Sequence, residues 1–134
     1  MNTRPLMTLR VSVSPPQNIG AVPHGTRRTV PLNGGDFDGP HLRGTVLSQG
    51  SADWLLLRAD GVLELDLRVT LLTHDGALIY LTFTGVRDDV RQYVRTLPRF
   101  ETAAPQYDFL NRLLAVGSGE IRPDGPVHII EELL

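Results

Sequence analysis

The chain has 134 residues, of which 41% are hydrophobic, and we expect one domain over residues 1–134 with one core. Its net charge of −2 argues against the basic surface that nucleic-acid binders present, so we expect no nucleic-acid partner. The chain contains neither cysteine nor lysine, which excludes disulfides, thiolate nucleophiles, cysteine-ligated zinc, lysine Schiff bases and the lysine of a Walker-type phosphate loop.

Runs rich in leucine and β-branched residues, separated by turn signals, recur along the chain. Asp60-Gly61, Asp75-Gly76 and Asp124-Gly125 predict two-residue type I′ hairpin turns, because Asp-Gly readily supplies the positive φ values that these turns need. Asn33-Gly34-Gly35 is a fourth turn candidate. The candidate strands, in chain order, cover residues 7–13, 27–32, a short piece near 36–37, 42–47, 62–73, 77–85, 92–96, 113–122 and 127–133.

The clearest strand covers residues 62–73, where Leu63, Leu65 and Leu67 alternate with polar residues. This period of two predicts a strand with one buried face. At ~3.3 Å per residue the strand is about 40 Å long, so in a small domain it must twist and bend. Together, about eight to ten strands at hairpin spacing predict an all-β antiparallel barrel or sandwich.

One short helix is expected after Pro105, since proline suits a first helical position. Tyr107, Leu110 and Asn111 would share one of its faces. The sequence has neither the apolar region of a signal peptide nor a run of ~20 apolar residues that would span a bilayer. We therefore expect a cytoplasmic protein with no membrane partner.

The histidines and serines carry no recognisable metal or nucleophile motif. None of His24, His41, His74 and His128 is spaced from another like a ligand pair, and no G-x-S-x-G elbow is present. The G-S-G at residues 117–119 lacks the third glycine of a dinucleotide fingerprint and is more typical of a bulge or close packing in a strand. We expect neither a metal nor a cofactor.

Carboxylate and arginine pairs are the remaining candidates for chemistry. Asp66 and Arg68 lie on one face of the long strand, which is either a solvated outer face or, if interior, a costly pair suited to positioning a substrate or moving a proton. Pro98 lies between Arg95 and Glu101, so we do not read their relative facing from parity, and a structural salt bridge is the alternative for them.

Seven motifs in order resemble one protein family. They are G-T-R-R-T-V-P-L-N-G-G-D-F-D-G-P-H-L-R-G, G-S-A-D-W, D-G-V-L-E-L-D-L-R, H-D-G-A-L-I-Y, Y-V-R-T-L-P-R-F-E-T, Y-D-F-L-N-R and V-G-S-G-E. Together they resemble the domain of unknown function 3237 family, also called uncharacterised protein family 0311, from about Gly25 to the C-terminus. The resemblance implies a lipocalin-like, calycin-type antiparallel β-barrel and no particular reaction.

The chain departs from the family pattern at four positions. Leu55 stands where the family usually has Gln, Val69 where it has Tyr, Phe83 where it has Asn, and Val94 where it has Phe. Three of these changes remove polar groups. If the positions line the barrel, the pocket of this member is more apolar than that of its relatives.

We weigh two functions that use the same cavity. The first is a cofactor-independent isomerase, cyclase or lyase that acts on a small apolar or aromatic metabolite inside the barrel. The second is a non-catalytic carrier or sensor of such a ligand. A third case is a barrel that is filled by its own side chains and works through partner contacts. A homodimer is a further candidate assembly. The candidate catalytic residues are Asp66, Glu101 and Tyr80, and the candidate ligand-binding residues are Trp54, Arg68, Phe83, Tyr93, Arg95 and Asn111. Trp54 is alternatively a core or barrel-mouth residue, and Asn111 a helix cap.

Overall fold

A computed structural model describes residues 1–134 as ten β-strands and one 3₁₀ helix. The helix, Pro105–Arg112, starts at the expected proline and lies between the eighth and ninth strands. The all-β prediction, its strand number and its one short helix are thus confirmed. The strands are β1 Thr3–Val13, β2 Gln17–Val22, β3 Gly25–Asp38, β4 Arg43–Val46, β5 Ala52–Leu57, β6 Leu63–Thr73, β7 Leu78–Asp88, β8 Tyr93–Glu101, β9 Ala115–Arg122 and β10 Gly125–Leu133.

The strands close into an antiparallel barrel with eight positions around its wall. Strands β6 to β10 follow one another as neighbours, and β10 pairs with β1. Strand β1 also pairs with β3, and β4 and β5 share the position between β3 and β6. Strand β2 pairs only with β3 and lies outside the closed ring. Closure gives nearly every strand two neighbours, so few backbone groups are left without a partner.

Strand β6 shows how the sequence pattern produces the wall. Leu63, Leu65, Leu67 and Val69 are buried, while Glu64 and Arg68 between them are exposed. The apolar row therefore faces the interior, and the polar row that includes Asp66 faces outward. Similar alternation along β8 continues through Pro98, which pairs with Phe83 of β7 and does not interrupt the ladder.

The Asp-Gly hairpins form, but not with the predicted turn type. Gly61 and Gly76 have φ values of 86° and 88°, whereas no aspartate has a positive φ. A type I′ turn needs positive φ at both central residues, so the type I′ prediction is wrong. Instead, the Gly61 and Gly76 N–H groups donate to the carbonyls three residues earlier, at 3.1 and 3.0 Å, and each glycine ends its turn in the left-handed conformation.

The predicted turn at Asn33-Gly34-Gly35 is instead part of the long strand β3. A Cβ atom at Gly35 would collide with the carbonyl oxygen of Arg10, so glycine permits the close approach of β1. Residues 25–31 of β3 pair with β2 and β5, whereas residues 32–38, which include both glycines, pair with β1 and β4. The bend explains why the sequence suggested separate pieces; β2 and β5 themselves were not predicted.

The two ends of the barrel differ. Tyr107 and Leu110 of the 3₁₀ helix are buried against one end, and large side chains fill the middle of the barrel. The other end, where β9 turns into β10, is hollow. The structure contains no helix whose length and apolar character would let it cross a membrane. The side chains that fill the middle are Leu9, Phe37, Val69, Leu81 and Ile130.

Candidate functional site

A cavity of about 500 Å³ occupies the hollow end of the barrel. Most of its wall is aliphatic, and charged side chains, among them Arg87, Arg122 and Asp124, line it together with the turn between β9 and β10. A cavity of this size and character suits a small, largely apolar molecule. The aliphatic wall consists of Val11, Val13, Val30, Leu32, Leu55, Leu65, Leu67, Val94 and Ile121.

Asp53 on β5 places a buried carboxyl group in this cavity. Its Oδ1 accepts a hydrogen bond of 2.9 Å from the backbone N–H of Asp66, at a point where β5 and β6 lack a regular pairing. The Trp54 carbonyl, also at this gap, accepts instead from Arg27 at 3.1 Å. No hydrogen bond to Oδ2 is formed within the protein, so this oxygen is available to a ligand.

Burial raises the pKa of Asp53 from 3.8 to about 6. The Asp66 N–H opposes this increase, the Asp66 charge adds to it, and the Arg87 charge opposes it. A carboxyl group with such a pKa is largely ionised at neutral pH and is still readily protonated. Asp53 can therefore both accept and return a proton.

His128 on β10 brings an unpartnered imidazole into the same cavity. The residue is only 4% exposed, and its Nδ1 has no hydrogen-bond partner. The ring packs edge-on against Phe83, with 5.0 Å between the ring centroids. Burial lowers the pKa of His128 to about 4, so the imidazole is neutral at pH 7 and each ring nitrogen can serve as a donor or an acceptor according to the tautomer.

Glycines on the inner face of β9 leave room beside these polar groups. A Cβ atom at Gly119 would lie 2.6 Å from Cγ1 of Val94 and 3.3 Å from Nδ1 of His128. A Cβ atom at Gly117 would collide with the Thr96 hydroxyl, which is also buried without a partner. The G-S-G segment thus permits close packing, as the sequence suggested, and preserves space next to the imidazole.

Arg87 and Arg122 stand where the cavity meets a neighbouring surface groove, since both line each of them. Arg87 holds Asp89 through Nε at 2.6 Å and Nη2 at 3.2 Å. Arg122 holds Glu120 through Nε and Nη2 at 3.0 and 2.9 Å. Each guanidinium is therefore fixed along one edge and keeps Nη1 free. Nowhere does the structure gather three or more His, Asp or Glu side chains that could hold a metal ion.

The Asp66 and Arg68 side chains lie outside the barrel, next to Trp54. The Arg68 guanidinium carbon is 5.1 Å from the centre of the Trp54 ring, and Trp54 is 36% exposed. Asp66 contributes to a shallow outer recess and reaches the cavity region only through its backbone N–H. Of the two alternatives for this row, the solvated outer face is therefore the one that forms, and the candidate roles of Asp66 and Arg68 inside the barrel are corrected: the apolar row of β6 faces the interior because burying it costs no desolvation of charge.

Tyr80, Glu101 and Asn111 come together, but on the outer surface, where they line a recess near the 3₁₀ helix. Tyr80 and Glu101 are directly paired residues of β7 and β8. Asn111 bridges the N–H and carbonyl groups of Thr102, both at 2.9 Å, which ties the helix to the end of β8. The structure thus brings these three candidate residues together, but on the outer surface and not in the cavity.

The remaining candidates divide between outside and inside. The Tyr93 ring is covered by the guanidinium groups of Arg91 and Arg95, at 4.6 and 4.8 Å from the ring centre. Arg95 and Glu101 both face outward on β8 and do not pair with each other. Phe83 faces the interior, where it supports His128. None of the nine predicted site residues lines the cavity.

Sequence reasoning missed Asp53, Arg87 and His128. A spacing signal was present for two of them: Asp53 precedes Leu55 by two residues, and Arg87 follows Phe83 by four. Because residues separated by an even number share a strand face, Asp53 and Arg87 face the interior if Leu55 and Phe83 do. Leu55 and Val94 do line the cavity, and Val69 and Phe83 lie in the core.

The model of a protein family described as "Protein of unknown function (DUF3237)" matches residues 1–131. The chain belongs to the DUF3237 family. The UPF0311 protein RPA1785 of Rhodopseudomonas palustris is 30% identical over 150 residues, which cover 100% of this chain and 97% of that protein. A UPF0311 protein of Clostridium acetobutylicum is 31% identical over 127 residues, with coverage of 82% and 80%. The resemblance to this family is therefore confirmed.

Solved structures agree with the barrel of this DUF3237 protein. A beta-barrel like protein from Acinetobacter baumannii AYE superposes with a TM-score of 0.93 at 31% identity, covering 99% of this chain and 96% of that one. A protein described as an enzyme from Penicillium herquei gives a TM-score of 0.79 at 24% identity, with coverage of 98% and 94%. The second similarity shows a common fold.

Proposed function

We propose that this DUF3237 protein binds a small, largely apolar or aromatic molecule in the cavity and moves a proton on it through Asp53. The reaction class is isomerisation, cyclisation or elimination without a cofactor, because each of these needs only a group that takes and returns a proton. The observation that carries the proposal is the Asp53 carboxyl group, buried and facing a cavity of about 500 Å³ whose wall is mainly aliphatic.

The surroundings of Asp53 suit this role. The backbone N–H of Asp66 fixes one carboxylate oxygen at 2.9 Å and leaves the other free for a ligand. A bound apolar molecule would displace water and further raise the pKa of the carboxyl group. His128 adds a neutral polar contact on the same wall, and its unpartnered Nδ1 favours a ligand that carries a polar group. Buried polar groups of this kind are typical of functional sites.

The Penicillium herquei neighbour is described as an enzyme and has the same fold. This supports considering catalysis beside simple carriage. A carrier would need the same cavity and one orienting polar contact, whereas an enzyme needs a titratable group that responds to the ligand. The titration of Asp53 with and without a bound ligand therefore distinguishes an enzyme from a carrier.

The first experiment tests binding with N-phenyl-1-naphthylamine, an uncharged apolar dye that fluoresces when removed from water. We expect saturable binding, lost in Val94→Trp, because this substitution fills the cavity. Leu97→Trp is the matched control on the same strand, since Leu97 is 62% exposed on the outer face. Equal binding by both variants would place the dye elsewhere and overturn the proposal.

The second experiment follows the ¹³C resonance of the Asp53 carboxyl group against pH, with and without the dye. We expect the midpoint to rise from about 6 when the dye is bound, since the dye removes water from the carboxylate. Asp53→Asn identifies the resonance, and Asp66→Asn should leave it in place. A titration midpoint that is the same with and without the dye would indicate a carrier and would contradict the proposed role of Asp53 in proton transfer.

A further inference from the structure

We infer that the substrate is an uncharged carbonyl compound with an apolar body, whose carbonyl oxygen accepts a hydrogen bond from Arg87 while Asp53 takes a proton from the adjacent carbon. The inference rests on the proposed function and names its substrate class. It comes from the position of Arg87, the pairing of its guanidinium group with Asp89 and the balance of charge around the cavity.

Arg87 is the most suitable donor to a ligand in this cavity. It follows Phe83 by four residues on β7, so both belong to the inward row of that strand. Its side chain is only 28% exposed, and it lies close enough to Asp53 for its charge to lower the pKa of that carboxyl group. Asp89 fixes the Nε and Nη2 edge, so Nη1 is presented without a partner from the protein.

The charges around the cavity argue against an anionic ligand. The Arg87 charge is balanced by Asp89, and the Arg122 charge by Glu120. Two more carboxyl groups, Asp53 and Asp124, line the cavity. A ligand carboxylate would thus meet two neutralised guanidinium groups and further negative charge, whereas a carbonyl oxygen needs only the N–H donor.

The step that this arrangement supports is enolisation. The Asp53 carboxylate takes a proton from the carbon beside the carbonyl, and the electron pair of the broken C–H bond forms a carbon–carbon double bond. The carbonyl π electrons move to the oxygen, where the Nη1–H of Arg87 stabilises the developing negative charge. Asp53 then returns the proton to the same or a conjugated carbon, so no atom or electron is gained or lost.

The test uses 2-tetralone, an uncharged aromatic ketone, in deuterated buffer, with deuterium uptake beside its carbonyl measured by mass spectrometry. We expect the wild-type protein to accelerate uptake above the buffer rate. Asp53→Asn should abolish the acceleration, and Arg87→Gln should reduce it by roughly 100-fold, as when one donor to a developing oxyanion is lost. Arg95→Gln is the matched control, because Arg95 lies outside on the neighbouring strand.

Binding of N-phenyl-1-naphthylamine keeps the two proposals distinguishable. If Arg87→Gln still binds the dye, the variant is folded and its cavity intact, and loss of exchange is then specific. Dye binding by the wild-type protein without accelerated exchange would overturn the carbonyl inference and leave the binding function standing. Uptake by Arg87→Gln at the wild-type rate would also overturn the inference.

The Asp89→Asn variant tests the charge argument separately. Removing this carboxylate leaves the Arg87 charge unbalanced, so 2-naphthoate, an anion of similar size, should displace the dye better from this variant than from the wild-type protein. The variant should also lose part of the exchange rate, because the guanidinium is no longer held in place. If the wild-type protein already binds 2-naphthoate more tightly than 2-tetralone, the ligand class is anionic and the inference is wrong.

Discussion

The two ends of the barrel shift the pKa of an aspartate in opposite directions. At the end closed by the 3₁₀ helix, Asp75 Oδ1 accepts hydrogen bonds from the hydroxyl groups of Thr73 at 2.6 Å and Tyr107 at 2.8 Å. These contacts lower its pKa to about 2. At the hollow end, burial raises the pKa of Asp53 to about 6, and His128 nearby has an unpartnered nitrogen.

This difference separates what holds the fold together from what is available to a ligand. Satisfied polar groups and buried apolar side chains stabilise the closed end, whereas the hollow end keeps a carboxylate in an environment that disfavours its charge. Proteins keep such unfavourable groups mostly where chemistry or binding needs them. We therefore expect substitutions at the closed end to cost stability and substitutions at the hollow end to cost function.

The largest loss of stability should follow Leu110→Ala at the closed end. Leu110 is 1% exposed, and truncating a buried leucine costs about 2–5 kcal/mol of unfolding free energy. Leu114→Ala is the control, because Leu114 is 56% exposed and should change stability by less than about 0.5 kcal/mol. Urea unfolding measures both. If the folded Leu110→Ala protein no longer binds N-phenyl-1-naphthylamine, the two ends are not independent.

Asp53→Asn at the hollow end should instead stabilise the protein, and only at higher pH. The pKa of Asp53 is 3.8 in the unfolded chain and about 6 in the folded protein, so ionisation of this carboxyl group destabilises the fold. This cost is absent below pH 3.8, grows as the pH rises to about 6 and stays constant above it. Asparagine stays neutral and can still accept from the Asp66 N–H, so the gain at pH 8 is at most about 3 kcal/mol.

Unfolding by urea at pH 4 and pH 8 measures this prediction. Asp66→Asn is the control, since the Asp66 side chain lies on the outer face and should alter stability little at either pH. A variant Asp53→Asn that is less stable than the wild-type protein at pH 8 would show that the carboxylate contributes to the fold, and the contrast between the two ends would disappear.

The wall of the barrel was largely predictable from the sequence. The alternation along β6 and the proline at the start of the helix are local patterns, and local patterns report which face of an element is buried. The bend at Gly34 and Gly35 was harder to predict from the sequence, because its cause is the close approach of β1, which is distant in the sequence.

The site could not be located in the same way. Asp53 lies on β5, a strand of six residues that the sequence analysis did not predict, so the strand face that it shares with Leu55 was not recognised. Trp54 beside it was chosen as the only tryptophan, and it faces outward. Which end of the barrel is plugged depends on how the 3₁₀ helix folds back against distant strands. That long-range choice decides where the cavity lies, and no local pattern encodes it.

The smallest effect should follow Tyr107→Phe, which removes one hydroxyl group from the closed end. Asp75 keeps its bond to Thr73 but loses the second donor, so its pKa should rise from about 2 toward 3.8. The stability due to this low pKa is present above pH 3.8 and is lost as the pH falls through about 2. Tyr107→Phe should therefore be less stable than the wild-type protein at pH 7, and this loss should be smaller than that of Leu110→Ala. At pH 2 the stabilities of Tyr107→Phe and the wild-type protein should be closer to each other.

The matched control for this change is Tyr80→Phe, which removes a hydroxyl group that is exposed on the outer surface and should behave like the wild-type protein. Urea unfolding across the pH range, together with the ¹³C titration of Asp75, measures the effect. An equal loss of stability at pH 2 and pH 7 would mean that the hydroxyl group does not act through the charge of Asp75. A loss confined to neutral pH would show that the hydroxyl stabilises a charged carboxylate here, while the barrel tolerates the opposite situation at Asp53.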